Sequence, residues 1–166
     1  MQIQGKKIIL RTVLPPDADL LYKWENDKSN WEVSETKKPF SKKEIDDFIA
    51  GQKDIYLDKQ LRLMIAISPF SHAKKAGVEV GCIDLFEFDS HKAGIGILID
   101  KKHRKQGYAS EALSLLIDYC FNALNLHALF CNISEDNKPS LRLFQKQQFL
   151  IAEKKKNIVS LERVNK

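Results

Sequence analysis

The sequence predicts a mixed α/β fold: a central, mostly antiparallel sheet of six or seven strands with helices on both faces. Three observations lead there. Between residues 61 and 100, three aliphatic segments follow one another with only turns between them, the order of antiparallel neighbours. A long amphipathic pattern over residues 106–124 is then followed by another strand pattern, the order of a parallel pair joined by a crossover helix. The 166 residues, 43% hydrophobic and 30% charged, suit one soluble globular domain spanning residues 1–166.

Each element has its own signal. Residues 7–13 are rich in β-branched side chains and read as a strand that Pro15-Pro16 ends. Asp17 caps a helix running to about Asn26, with Leu20, Leu21 and Trp24 on one face. Ser41-Lys-Lys-Glu44 is a capping box, opening a second helix with the stripe Ile45, Phe48, Ile49. Residues 61–67 form a strand, 68–77 a hairpin-like loop, and 79–88 and 93–100 two more strands. In the long helix, Ala109, Ala112, Leu113, Leu116, Cys120, Ala123 and Leu124 keep helical spacing. Residues 128–133 form a strand and 137–147 a helix. Residues 149–152 and 159–164 are expected to close the sheet.

Charge and cysteine usage exclude several classes. The 27 Lys and Arg against 22 Asp and Glu give +5, unevenly spread: residues 138–166 carry a net +6 and residues 17–58 a net −4. No basic stripe has interleaved aromatics, so nucleic acid is not an expected partner. No apolar run approaches the ~18–20 residues of a membrane span. Cys82, Cys120 and Cys131 are odd in number and lack CxxC spacing, so buried thiols and a cytoplasmic location are expected. His72, His91, His103 and His127 show no ligand spacing, and no metal is expected.

The informative junction precedes the long helix. Residues 97–109 run from a strand through Lys101, Lys102, Arg104 and Lys105 into the helix start at Gly107-Tyr-Ala109. A first helical turn has unpaired N–H groups and a positive dipole end, where anions bind. Small residues at 107 and 109 let a phosphate approach the backbone. Neither GxxxxGK[ST] nor GxGxxG is present. The residues alone suit a phosphate site or a helix start with solvated lysines.

Arg104-Lys-Gln-Gly107-Tyr-Ala109 resembles the R/Q-x-x-G-x-G/A signature of the GNAT N-acetyltransferase superfamily. Asn137, Ser140, Phe144, Lys146 and Phe149 resemble its later motif, and the element order is similar over nearly the whole chain. The segments Gly81-Cys-Ile-Asp84-Leu-Phe-Glu87-Phe and Ala93-Gly-Ile-Gly-Ile-Leu-Ile99 look like the branch containing spermidine and ribosomal-protein alanine acetyltransferases.

The resemblance implies a parallel strand pair that splays apart to admit the pantetheine arm of acetyl-coenzyme A. Backbone groups of Ile97, Leu98 and Ile99 would hold the arm. Arg104, Lys105, Gln106, Gly107, Tyr108 and Ala109 would hold the pyrophosphate. Asn137 would contact the coenzyme, and Lys146 would lie near its nucleotide end. A primary amine, of polyamine or diamine type, would attack the thioester directly. Glu87 is the expected base, with Asp84 second and on the opposite face of a regular strand. Trp31, Glu32 and Glu35, between the first two helices, would hold the cationic acceptor. A homodimer is common in the family. Acetylation of protein N-termini or lysines, or coenzyme sensing without turnover, are the alternatives. This chain departs from the family at Phe144, where many members use Tyr as general acid, at Gly94, where many carry Glu, and at Gln148, where the motif has Gly.

Overall fold

A computed structural model describes residues 1–31, 38–72 and 74–166. One eight-stranded sheet organises them in the order β1-β2-β3-β4-β5-β6-β8-β7. Its strands are β1 (Gln2–Gln4), β2 (Ile8–Thr12), β3 (Leu61–Ile67), β4 (Glu79–Phe86), β5 (Lys92–Ile99), β6 (Ala128–Ser134), β7 (Leu150–Lys155) and β8 (Ile158–Val164). All neighbours are antiparallel except β5 and β6. The helices are α1 (Ala18–Asn26), α2 (Lys28–Trp31), α3 (Lys42–Gly51), α4 (Ile55–Asp58), α5 (Tyr108–Asn122) and α6 (Lys138–Lys146). The sheet thus has one or two strands more than expected. None of the described helices is long and apolar enough to cross a membrane.

Strand alternation divides the core between the two faces. On one face, Leu63, Ile65, Ile83, Leu85, Ala93 and Ile95 pack with Tyr108, Ala112, Leu113, Leu116, Ile117 and Cys120 of α5. On the other, Met64 and Cys82 pack with Leu21 and Trp24 of α1 and Ile45 of α3. Each large aliphatic side chain so buried contributes roughly 1.5–3 kcal/mol. Helix α5 stops at Asn122, so Ala123 is an exposed C-cap rather than a core residue. The Ser41 capping box forms as expected, with the Ser41 Oγ accepting from Glu44 N–H and the Glu44 carboxylate from Ser41 N–H.

Two local features fix the site's edges. The turn between β1 and β2 docks on α5, where the Glu111 carboxylate accepts the Lys7 N–H at 2.9 Å. Gly5 sits so close to Glu111 and Leu115 that any Cβ there would clash. At the far end of β4 the ladder stops at Phe86, because Glu87 takes φ 47°. The strand expected to reach residue 88 is therefore two residues shorter, and Glu87 follows it rather than lying within it.

Candidate functional site

The parallel pair is registered over three residues only: Lys92 with Ala128, Ala93 with Leu129, and Gly94 with Phe130. Beyond Gly94, β5 stays paired with β4 as far as Ile99, and β6 with β8 as far as Ser134. The two strands part into a wedge. Asp100 N–H donates to the Val80 carbonyl at 2.8 Å, which sets the hydrogen-bonding alternation of β5. Residues 95, 97 and 99 accordingly turn their N–H and C=O groups into the wedge. Leu98 turns its own toward Cys82 on β4, so of the residues expected to line the wedge by backbone, Ile97 and Ile99 do and Leu98 does not.

The wedge opens onto the loop before α5. Two residues there are left-handed, Lys105 at φ 61° and Gly107 at φ 83°. Gly107 is the N-cap, and no side chain caps the helix. Helix geometry leaves the N–H groups of Tyr108, Ala109 and Ser110 without an intrahelical acceptor. Lys7 reaches this turn from β2's entry, its Nζ donating to the Gln106 carbonyl at 3.3 Å. Arg104 Nε donates to the Ile99 carbonyl at 3.0 Å, at the mouth of the wedge. An open backbone edge running into a set of N–H donors suits an amide-bearing arm that ends in a diphosphate.

A family model for the acetyltransferase (GNAT) domain matches residues 7–149. The chain belongs to the GNAT acetyltransferase family. The N-acetyltransferase p20 of Bacillus licheniformis is 28% identical over 147 residues, 87% of this chain and 79% of that one. Spermidine N(1)-acetyltransferase of Escherichia coli (strain K12) is 27% identical over 77 residues, 45% of this chain and 41% of that one. The fold is similar to that of spermidine N-acetyltransferase from Vibrio cholerae, solved in complex with CoA and spermine. The TM-score is 0.83 at 16% identity, over 96% of each chain.

On the α1/α3 face, this GNAT domain carries a charged cluster that sequence reasoning missed. Arg62 of β3 donates from Nε and Nη2 to both Asp84 oxygens at 2.7 Å and from Nη1 to Glu25 of α1 at 2.6 Å. Its guanidinium lies 5.2 Å from the Phe48 ring centroid of α3. Burial disfavours the Arg62 charge, but Asp84 and Glu25 outweigh it and hold the guanidinium firmly protonated. The available signal was a lone arginine in the apolar run of residues 61–67. Asp84 is thus engaged on both oxygens. Glu87 is exposed and makes no hydrogen bond or ion pair among the described residues. It lies one residue past the apex of the wedge, beyond the Phe86–Gly94 pair.

The family departures have physical reasons. The Phe86 ring lies directly over Gly94, so a glutamate at that position requires the ring to move aside. Phe86 in turn packs edge-on against Phe130, closing the apex. Gln148 takes φ 67°, adopting the left-handed turn for which the motif uses Gly. Phe144 is 1% exposed and packs edge-on against Phe149 at 5.1 Å. Asn137 caps α6, its Oδ1 accepting from Ser140 N–H at 3.3 Å, and Lys146 ends that helix in solvent. Trp31 ends α2. Glu32 and Glu35 lie outside the described residues. Among the described residues, no three His, Cys, Asp or Glu side chains converge as metal ligands would.

Proposed function

We propose that the protein transfers the acetyl group of acetyl-coenzyme A to a small cationic primary amine of the polyamine or diamine class. One observation carries the coenzyme reading: the unpaired edge of β5 runs into the uncapped start of α5, where Gly107 holds φ 83°. The amine class is supported by the net −4 of residues 17–58 and by the relatives named for spermidine.

When bound, the coenzyme supplies an acetyl thioester that a neutral amine attacks with expulsion of the thiolate. In this chain, backbone groups of Ile97 and Ile99 align the arm, and an N–H of the same edge stabilises charge developing on the carbonyl oxygen. The N–H groups of Arg104 to Ala109 hold the diphosphate. Asn137 lies beyond the wedge, and Lys146 adds charge toward the nucleotide. Glu87, with no partner among the described residues, takes the ammonium proton through water. Trp31, Glu32 and Glu35 orient the cation.

The test combines calorimetry with CoA and a free-thiol assay on a panel of polyamines, diamines and aminoglycosides. The assay background is low, because burial pushes the thiols of Cys82, Cys120 and Cys131 up to about 12. Turnover on at least one polyamine is expected. In Gly107→Val, β-branching at a left-handed site beside the Lys7 ammonium lowers CoA affinity by roughly tenfold or more. No heat with CoA overturns the reading. CoA binding with turnover only on peptides moves the acceptor to proteins.

A further inference from the structure

We infer that Asn30 is a positioning residue that couples the order of the α1–α2 segment, on the acceptor side, to the diphosphate loop. The inference rests on the coenzyme reading above. Its basis is an unbroken chain of hydrogen bonds. The Asn30 amide nitrogen donates to the Trp24 carbonyl at 3.0 Å, and its Oδ1 accepts from Arg104 Nη2 at 3.3 Å. Arg104 Nε donates to the Ile99 carbonyl at 3.0 Å. One side-chain amide, only 5% exposed, thus joins the last turn of α1 to the first loop residue and, through it, to the open edge of β5.

Two further links run parallel to it. Trp24 Nε1 donates to Asp100 Oδ2 at 2.9 Å, just ahead of the loop, and Lys101 Nζ lies 3.4 Å from Asp27 Oδ2. The ion pair is half in solvent and weak. The Trp24 bond secures α1 but does not reach α2. Asn30 is therefore the buried tie between α2 and the loop.

Both ends of this tie need outside support. Helix α2 is a single turn of four residues, too short to persist by its own hydrogen bonds. Asp27 begins it by accepting from Ser29 N–H at 2.9 Å and Ser29 Oγ at 2.7 Å. The loop, for its part, must keep Lys105 and Gly107 in left-handed conformations, which a lysine resists. Fixing Arg104 from two sides lowers the cost of that conformation. A diphosphate that orders the loop fixes Arg104, then Asn30, then α2. Linkage requires the reciprocal effect: an ordered α2 raises coenzyme affinity by the same factor.

The experiment pairs CoA calorimetry with amide hydrogen exchange in wild type, Asn30→Ala, Asn30→Asp and Arg104→Met. In wild type, saturating CoA slows exchange at Ser29 to Trp31 about fivefold or more. Asn30→Asp keeps an acceptor for Arg104 but gives up the donor to the Trp24 carbonyl, so it retains only part of this protection. Asn30→Ala loses it, even at saturation, and its Kd for CoA rises roughly 5- to 20-fold. Arg104→Met, at an exposed position, cuts the same tie from the other side and also abolishes the protection, so the test stands if Asn30→Ala does not fold. CoA binding without slowed exchange at Ser29 to Trp31 in wild type overturns the coupling and leaves the coenzyme reading intact. So does unchanged protection in Asn30→Ala or Arg104→Met. Absence of any heat with wild type defeats the coenzyme reading itself.

Discussion

A hydroxyl at residue 144 would enter a sealed core. Phe144 packs against Phe149 and is 1% exposed, so Phe144→Tyr buries a polar group where an aromatic edge now sits. Chemical denaturation should show a loss of about 1–3 kcal/mol, with no gain in kcat; a rate gain would show that the position reaches the reacting atoms. Glu87→Gln should lower kcat by roughly 10²-fold, because neutral amide cannot take the proton, while leaving the melting temperature unchanged at this exposed site. An unchanged kcat in the variant would remove Glu87 from the role of base. The loop before α5 stood out because it is a contiguous motif, Arg104 to Ala109. Leu98 was not separable from Ile97 and Ile99, since which backbone groups face the wedge depends on the pairing of Asp100 with Val80. Gly94 was visible as a departure, but its cause, the Phe86 ring across the strand, needs the register.

Elements long enough to repeat a pattern were legible, and shorter ones were not. Strand β3 was expected over residues 61–67 and found there, and α5 lies within its expected bounds. Strand β1 has three residues and α2 and α4 four each, about one helical turn or less, so no periodicity could reveal them. Asp17, expected to cap α1, occupies its N-cap position, but its side chain makes no capping bond there and instead clasps the one-turn 3₁₀ segment Pro15–Asp17. Asp17, 6% exposed, accepts from both Arg11 terminal nitrogens at 2.8 Å and from Leu14 N–H at 2.8 Å, while Arg11 also reaches Glu79. Burial pushes the Asp17 carboxyl up, but the Arg11 and Leu14 bonds pull harder, and it ends below its ordinary value. A carboxyl depressed in the folded state stabilises fully above its unfolded value, about 3.9, and that stability is lost as pH falls through the folded value. Unfolding free energy should therefore drop below about pH 4. Asp17→Asn should cost roughly 3 kcal/mol at neutral pH and flatten the acid limb in urea titrations. An unchanged acid limb would place the titrating groups elsewhere.

For the molecule as a whole, counting residues showed the charge to be segregated, and the sheet order shows where it falls. The +6 segment, residues 138–166, supplies α6, strand β8 and the edge strand β7, beyond β6. The −4 segment, residues 17–58, contains α1 to α4, of which α1 and α3 pack over Met64 and Cys82 on the opposite side of the wedge. The wedge thus lies between a basic edge and an acidic face, a polarity suited to an anionic donor and a cationic acceptor. The strand–helix–strand order already pointed to the parallel β5–β6 pair, but not to the full sheet order that sets α1 and α3 on the β4 side and β8 and β7 beyond β6. The consequence is a graded salt dependence. Raising ionic strength from about 0.02 to about 0.5 M shortens the screening length from roughly 20 to roughly 4 Å. KM for a triamine should then rise several-fold, and KM for a monoamine of similar length should change less than about twofold, because the acidic face acts on each ammonium separately. Steady-state kinetics at fixed, saturating acetyl-coenzyme A reads the acceptor side alone. Equal slopes for the two amines would mean that the acidic face does not meet the acceptor and that selectivity comes from local contacts.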